Sequence, residues 1–84
     1  MDEQLERLIP LLDMLVNDNS VPRNVRTKMS AAKDRLTGND EFSTKVSYAV
    51  YALDEVSNDI NLPMHARTLV WNLLSELEAL KNKA

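Results

Sequence analysis

The chain has 84 residues, of which 44% are hydrophobic and 27% are charged, and its formal net charge is −3. This length supports one small domain, and the composition is that of a folded globular chain, which excludes a disordered or collagen-like protein. The chain contains no cysteine, which excludes a disulfide, a thiolate nucleophile and a zinc site with cysteine ligands. The mild acidity argues against coating of nucleic acid by bulk attraction.

The first predicted helix covers about residues 2–17. Its apolar residues recur at three- and four-residue spacing, which places them on one stripe: Leu5, Leu8, Ile9, Leu12, Leu15 and Val16. Pro10 lies inside this stretch. Because proline removes the hydrogen bond to the carbonyl of Glu6 and crowds it, we expect either a kink or a late helix start.

A polar run at residues 17–20 separates the first helix from the second. We predict Ser20 as the N-cap of the second helix, because its hydroxyl can accept a free amide, with Pro22 in the first turn. The helix runs to about Leu36, and its expected inward residues are Val25, Met29, Ala32 and Leu36. The only glycine, Gly38, is expected to adopt the left-handed conformation that often ends a helix.

Two further helices are predicted, at about residues 42–58 and 62–82. The third helix is expected to pack Phe42, Val46, Ala49, Val50, Leu53 and Val56. The fourth carries a wide apolar stripe of Ala66, Leu69, Val70, Leu73, Leu74, Leu77 and Leu80. No stretch alternates with a period of two, so no strand is predicted.

The chain repeats itself, because residues 5–36 align with residues 46–77. Identical pairs include Leu12/Leu53, Asp13/Asp54, Asn17/Asn58, Asp18/Asp59, Pro22/Pro63, Arg26/Arg67 and Thr27/Thr68. A repeat of this size indicates one supersecondary unit used twice. We therefore predict a single domain over residues 1–84, an all-α four-helix up-and-down bundle of two αα-hairpins, at about 2–37 and 42–82. The alternative is an open stack of two solenoid repeats.

Asp18 and Asp59 each precede an arginine, Arg26 or Arg67, by eight residues. One interpretation is a duplicated site in which a carboxylate and a guanidinium act together. In the other, the aspartates staple the turn between two helices and the arginines hold it from the following helix. Repeated positions commonly define the turn of the repeating unit, which favours the second interpretation.

His65 is the only histidine and has no neighbours at metal-ligand spacing. We interpret it as a half-exposed hydrogen-bonding residue, which Asp59 or Glu55 could reach only through tertiary contact. No serine stands in a nucleophile elbow, and one glycine cannot build a phosphate loop. We predict no catalytic residue, metal site, cofactor or small-molecule substrate, hence no enzyme. The acidic start and the lack of a long apolar run predict a cytoplasmic protein with no membrane span.

A basic stripe on the second helix is the first candidate surface. Arg23, Arg26 and Lys33 lie near one another on a helical wheel and could contact phosphates. The helix lacks interleaved aromatic residues, and the rest of the chain is acidic, so a solvated charged face is the default interpretation. An accessory nucleic-acid or ribonucleoprotein binder is therefore the alternative function.

The leading candidate is a partner surface formed by Tyr48, Tyr51, Met64, Arg67 and Trp71. Trp71 lies about 140° from the centre of the fourth helix's core stripe, and the tyrosines lie opposite that of the third helix. Such residues are typical of interface hot spots, and the spacing of Arg67 and Trp71 allows a cation–π contact. The alternative is that they tuck against the N-terminal segment around residues 10–14. We predict a non-enzymatic interaction module with a protein partner or a homodimer.

Two family resemblances arise. Residues 15–18 (LVND), leading to Val25 and Arg26, resemble a HEAT-type helical repeat, and Pro10 lies where such repeats often kink their first helix. Two features depart from that pattern. The turn is about two residues longer, and the second unit has Tyr51 in place of the proline. Nearly the whole chain is similar to the small archaeal proteins of uncharacterised protein family 0147, through SVPRNVR at 20–26, LDEVSND at 53–59 and PMHARTLVWNLLSELE at 63–78. That resemblance implies an archaeal cytoplasmic protein with a compact four-helix bundle. It implies no activity and supplies no site residues.

Overall fold

The computed structural model describes residues 3–83. Over these residues the chain forms four α-helices and no strand: α1 (Glu3–Val16), α2 (Arg23–Leu36), α3 (Phe42–Ser57) and α4 (Met64–Lys83). The prediction of an all-α chain with four helices is confirmed. The expected start of the first helix at residue 2 lies outside the described residues. Below, hairpin 1 is α1 with α2, and hairpin 2 is α3 with α4.

The helices form an up-and-down bundle. Each helix packs against the next in chain order, and α4 also contacts α1, which closes the ring; among the described residues the diagonal pairs do not meet. The seam between α1 and α4 is the loosest. The longest dimension of the chain, 33 Å, matches the length of about 30 Å expected for the 20 residues of α4. The helices therefore run along the long axis, and the turns of both hairpins lie at the same end.

The core consists of the apolar stripes of all four helices. All buried side chains on α1, α2 and α4 are ones that the periodicity predicts, and most of those on α3 are. The buried hydrophobic residues are Leu5, Leu8, Leu12, Leu15, Val21, Val25, Met29, Ala32, Leu36, Val46, Ala49, Ala52, Leu53, Val56, Leu62, Ala66, Val70, Leu73, Leu77 and Leu80. The remaining predicted core positions are half-buried and pack around this cluster: Ile9, Val16, Phe42, Val50, Leu69 and Leu74. Ala52 and Lys45 on α3 are also buried, and the sequence did not single them out.

Pro10 lies in the middle of α1 without ending it. The helix begins at Glu3 and continues to Val16, so the expectation of a late start is wrong. Proline leaves one carbonyl of the preceding turn without its usual donor. The buried leucines on both sides, Leu8 and Leu12, anchor the helix to the core. Their burial offsets the loss of one hydrogen bond, and Pro10 itself faces solvent.

Both predicted helix caps are wrong. The N-cap of α2 is Pro22, which has no capping side chain, and the Ser20 hydroxyl donates instead to Asp18 Oδ1. At the other end of α2, Gly38 does not have a positive φ. Thr37 ends the helix in a right-handed conformation, and its hydroxyl donates to the carbonyl of Lys33 at 3.0 Å. The backbone N–H of Thr37 also donates to the Lys33 carbonyl, and that of Gly38 donates to the Arg35 carbonyl, so the last turn of α2 is closed without a left-handed residue.

Candidate functional site

The turns of the two hairpins are built alike around an aspartate. In hairpin 1, Asp18 Oδ1 accepts the backbone N–H of Ser20 at 2.9 Å; in hairpin 2, Asp59 Oδ1 accepts that of Asn61 at 2.8 Å. The helices also end and begin at matching residues, because Val16 and Ser57 close the first helix of each hairpin and lie 41 positions apart. Aspartate bonds its own backbone two residues on more readily than most residues do, which fixes the turn locally.

The two repeated arginines, Arg26 and Arg67, lie on the helix that follows each turn, and Arg67 bonds the backbone of its turn. Arg67 Nη2 donates to the backbone carbonyl of Asp59 at 2.8 Å, as the stapling interpretation expects. The Nε atoms of Arg26 and Arg67 are both buried without a hydrogen-bond partner. The geometry therefore gives the Arg67 guanidinium a structural role at the turn of hairpin 2, whereas Arg26 is half-buried on α2. Among the described residues, neither arginine forms an ion pair with the turn aspartate.

Each turn aspartate also bonds the opposite hairpin. Asp18 Oδ2 lies 2.7 Å from His65 Nε2 on α4, and Asp59 Oδ2 accepts the side-chain amide of Asn24 on α2 at 3.2 Å. His65 and Asn24 are equivalent positions of the repeat. The sequence interprets His65 as a half-exposed hydrogen-bonding residue; in the structure its side chain is 62% exposed and bonds Asp18, a partner that the sequence interpretation missed. The predicted up-and-down topology places both turns at the same end of the bundle. From that topology, the turn aspartate of the opposite hairpin, Asp18, could have been predicted as the partner of His65.

The cluster of Asp18, Ser20 and His65 has no arrangement for nucleophilic catalysis. The Ser20 hydroxyl donates to Asp18 Oδ1 at 2.6 Å and lies 3.4 Å from His65 Nε2. Hydrogen bonds from Ser20 and His65 lower the pKa of Asp18 to about 2, and the bond from the Ser20 side chain has a larger effect than the bond from His65. Ser20 Oγ and Asp18 Oδ2 both approach the same imidazole nitrogen, Nε2, whereas a catalytic triad needs the serine and the carboxylate on opposite ring nitrogens. The cluster fastens the two hairpins, and the described residues contain no group of three possible metal ligands.

The predicted basic stripe is largely occupied. Lys33 Nζ lies 2.6 Å from Asp13 Oδ1 on α1, and Arg26 is half-buried with its Nε atom buried. Arg23 alone of the three predicted residues is exposed. The other two cations of α2 also pair with acids, Lys28 with Glu55 and Arg35 with Asp40. The structure therefore places Arg23, Arg26 and Lys33 on one helix but leaves little free positive charge there.

Hairpin 2 carries four of the five large hydrophobic side chains that are exposed among the described residues. We call Tyr51, Ile60, Met64 and Trp71 the outer face of hairpin 2; their exposed fractions are 70%, 90%, 72% and 52%. Tyr51 lies six residues before the end of α3 and Trp71 seven after the start of α4. At a rise of 1.5 Å per residue, both lie about 10 Å from the turn, at one level of the hairpin. The alternative interpretation, in which these residues tuck against the N-terminal segment around residues 10–14, does not hold for Tyr51, Met64 and Trp71, which are exposed.

Two of the predicted partner residues are engaged differently from the rest. Tyr48 is half-buried, with the Arg35 guanidinium 4.4 Å from the centre of its ring. Arg67 is held by the Asp59 carbonyl, and the cation–π contact found in the described residues is that of Arg35 with Tyr48, whereas none is found for Arg67 with Trp71. Beside Tyr51 lies a shallow pocket of about 210 Å³ between α2 and α3. It is lined by Tyr48, Tyr51, Ala31, Ala52, Thr27, Lys28 and Glu55.

The sequence profile of the uncharacterised protein family UPF0147 matches residues 1–80. The chain belongs to this family. A UPF0147 protein of Archaeoglobus fulgidus is 47% identical over 74 residues, which cover 88% of this chain and 85% of the relative. Another, from Methanothermobacter thermautotrophicus, is 46% identical over 81 residues, or 95% and 79% of the two chains. Both source organisms are archaea.

The fold of this UPF0147 protein is similar to that of a solved relative. The crystal structure of a family member from Thermoplasma acidophilum superposes with a TM-score of 0.86 at 36% identity, and the match covers 92% of each chain. The family is uncharacterised, so membership brings no activity. No helix among the described residues is long and apolar enough to cross a membrane. The function of this UPF0147 chain must therefore be argued from its own surface.

Proposed function

We propose that this UPF0147 protein is a non-enzymatic protein-interaction module that docks a protein through the outer face of hairpin 2. The proposal includes the cytoplasmic location expected from the sequence. The partner is either a second copy of the chain or a different protein, because an exposed apolar face can bind either. Tyrosine, tryptophan and methionine are the residues that interfaces concentrate at their centres.

The observation that supports the proposal is an internal comparison. At the positions equivalent to Tyr51, Ile60, Met64 and Trp71, hairpin 1 carries Pro10, Asn19, Arg23 and Ser30. Hairpin 1 forms the same two helices and the same turn without large apolar side chains at these four positions. The fold of a hairpin therefore does not require them. Their presence on hairpin 2 alone is explained by a contact outside the chain.

Hairpin 1 is not wholly free of exposed apolar residues, because Met14 on α1 faces solvent. Its equivalent in hairpin 2 is Glu55, which pairs with Lys28. A single exposed methionine is ordinary for a surface, whereas four large apolar residues on one hairpin are not. The contrast between the hairpins thus lies in the number and the clustering of these residues.

The test exchanges residues between the hairpins. The variant Ile60→Asn/Trp71→Ser places the residues of hairpin 1 on hairpin 2, and Asn19→Ala/Ser30→Ala alters the equivalent positions as a control. Each immobilised chain is exposed to an extract of an archaeon that encodes a relative, and its solution mass is measured by sedimentation velocity. We expect the wild type and the control to bind the same protein or to self-associate, and the exchanged variant to do neither while remaining folded. Equal behaviour of all three chains would contradict the proposal.

The nucleic-acid alternative has less support from the geometry. Three of the five cations on α2 pair with acids, namely Lys28, Lys33 and Arg35. Phosphate binding at the basic stripe would have to break the pair of Lys33 with Asp13. A mobility-shift assay with RNA and duplex DNA at low salt tests the alternative directly, with a variant that neutralises Arg23, Arg26 and Lys33 as the comparison.

A further inference from the structure

One ion pair of hairpin 1 has no counterpart in hairpin 2. In hairpin 1, Asp13 on α1 pairs with Lys33 on α2 at 2.6 Å. The equivalent residues of hairpin 2 are Asp54 and Leu74, so the aspartate is retained while its lysine is replaced by a leucine. Asp54 is exposed and its carboxylate has no ion pair with any described residue. Hairpin 2 therefore presents a carboxylate whose cation is missing.

The unpaired carboxylate lies beside the outer face of hairpin 2. Asp54 follows Tyr51 by three residues on α3, which puts the two side chains on adjacent turns of one face. A second exposed acid, Glu78, follows Trp71 by seven residues, two turns along the same face of α4. Of the cations nearby, Lys28 pairs with Glu55 and Arg67 donates to the Asp59 carbonyl, whereas the exposed Lys81 follows Glu78 by three residues. Two exposed acids therefore flank the apolar residues, with Asp54 nearer the turn and Glu78 farther from it.

We propose that the outer face of hairpin 2 takes a basic amphipathic segment of another protein, with a lysine or arginine of that segment pairing with Asp54. This inference rests on the proposed function and adds the chemistry of the partner. Apolar side chains of the segment would pack on Tyr51, Met64 and Trp71, and its cations would meet Asp54 and Glu78. A second copy docked face to face would bring the same carboxylates toward one another, which disfavours self-association through this face.

Two synthetic peptides test the proposal. Each is about 18 residues long, or five helical turns, with the same leucine stripe and no tryptophan. One has lysines along both edges of the stripe and the other has glutamates. Trp71 is the only tryptophan of the chain and lies on the proposed site, so its fluorescence reports binding, and calorimetry gives the affinity for variants that lack it. The protein variants are Asp54→Asn, Trp71→Ser and, as a matched control, Asp13→Asn.

We expect the lysine peptide to shift the Trp71 emission to shorter wavelength and to bind about tenfold more tightly than the glutamate peptide at low salt, because two exposed charge pairs are gained. Asp54→Asn should weaken the lysine peptide about threefold, and Asp13→Asn should not. If the lysine peptide bound only through general attraction to an acidic protein, Asp54→Asn and Asp13→Asn would weaken its binding equally. The preference should shrink at about 0.5 M salt, where exposed pairs are screened.

Three results would overturn the inference, and they differ in what they say about the proposed function. Equal binding of both peptides, weakened by Trp71→Ser, would remove the charge preference and leave the docking surface intact. A dimer that is lost in Trp71→Ser would assign the face to a second copy. If neither peptide changes the Trp71 emission and the chain stays monomeric, the inference fails, and the capture experiment with the exchanged variant decides the proposed function.

Discussion

Leu12 and Leu53 test whether the two hairpins share one core. They occupy equivalent positions of the repeat, and both are 0% exposed. Replacement by alanine removes about three carbon groups at about 0.8 kcal/mol each, and the cavity left behind raises the cost to about 3–4 kcal/mol. A chain of 84 residues has a free energy of unfolding of about 4–13 kcal/mol. Each substitution therefore removes a large part of the stability and lowers the Tm by at least about 12 °C.

Urea unfolding followed by two probes gives the assay. Circular dichroism reports all four helices, whereas the fluorescence of Trp71 reports hairpin 2, where the only tryptophan lies. If both hairpins unfold together, Leu12→Ala in hairpin 1 must shift the Trp71 midpoint as far as the circular dichroism midpoint, and Leu53→Ala must cost the same within about 1 kcal/mol. A Trp71 midpoint that Leu12→Ala leaves unchanged, with an earlier separate loss of helix signal, would refute the shared core and favour an open stack of repeats.

Three smaller predictions follow from individual contacts. Because the pKa of Asp18 is lowered to about 2 in the folded chain, its stabilising effect is present above the ordinary value of about 3.9 and is lost as the pH falls toward 2; urea midpoints should show Asp18→Asn less stable than wild type at pH 6, with the gap narrowing between about pH 4 and pH 2. Lys33→Ala should cost less than about 1 kcal/mol at low salt and nothing measurable at about 1 M salt, because the pair with Asp13 is partly exposed; a double-mutant cycle measures it. Gly38→Ala should change the free energy of unfolding by less than about 1 kcal/mol, because its φ is not positive, so alanine stiffens the unfolded chain without backbone strain, while the added Cβ would make a tight contact 3.3 Å from the Asp34 carbonyl that offsets this gain; a loss well above about 1 kcal/mol in thermal unfolding would show that the Asp34 carbonyl cannot shift to accommodate the Cβ.

The helices could be predicted because burial dominates their positions. Apolar residues at three- and four-residue spacing marked the stripes that the structure buries, and the repeat supported the same boundaries twice. Pro10 did not break α1, because leucines on both sides of it are buried in the core. A local penalty of one hydrogen bond is smaller than the burial of two leucines.

The helix ends could not be predicted from residue preference alone. Ser20 and Gly38 are favoured cap residues, yet neither caps α2. The Ser20 hydroxyl donates to the Asp18 carboxylate, and Pro22 is the N-cap. At the other end of α2, the Thr37 hydroxyl donates to the Lys33 carbonyl. Such competition between adjacent polar side chains is decided by geometry of a few tenths of an ångström, which composition does not contain.

The candidate surface was only partly visible in the sequence. The helical wheel identified Tyr51, Met64 and Trp71 as outward, and the structure leaves them exposed. Ile60 was missed because it lies in a turn, where no periodicity applies. The roles of Arg67 and Tyr48 depend on contacts with other elements, which spacing along one helix cannot show. The unpaired state of Asp54 became evident only when the ion pair of hairpin 1 had been seen.

The crossed contacts at the turns have a consequence for the organisation of the chain. Asp18 reaches His65 and Asp59 reaches Asn24, so each hairpin supplies an acceptor to the other and receives a donor in return. Reciprocal contacts of this kind are those of a homodimer with two-fold symmetry. A free hairpin of half this length would find the same contacts in a second molecule of itself. The chain is thus organised like a two-fold dimer of hairpins whose halves are joined by the short link after α2, and the two halves differ in their outer residues.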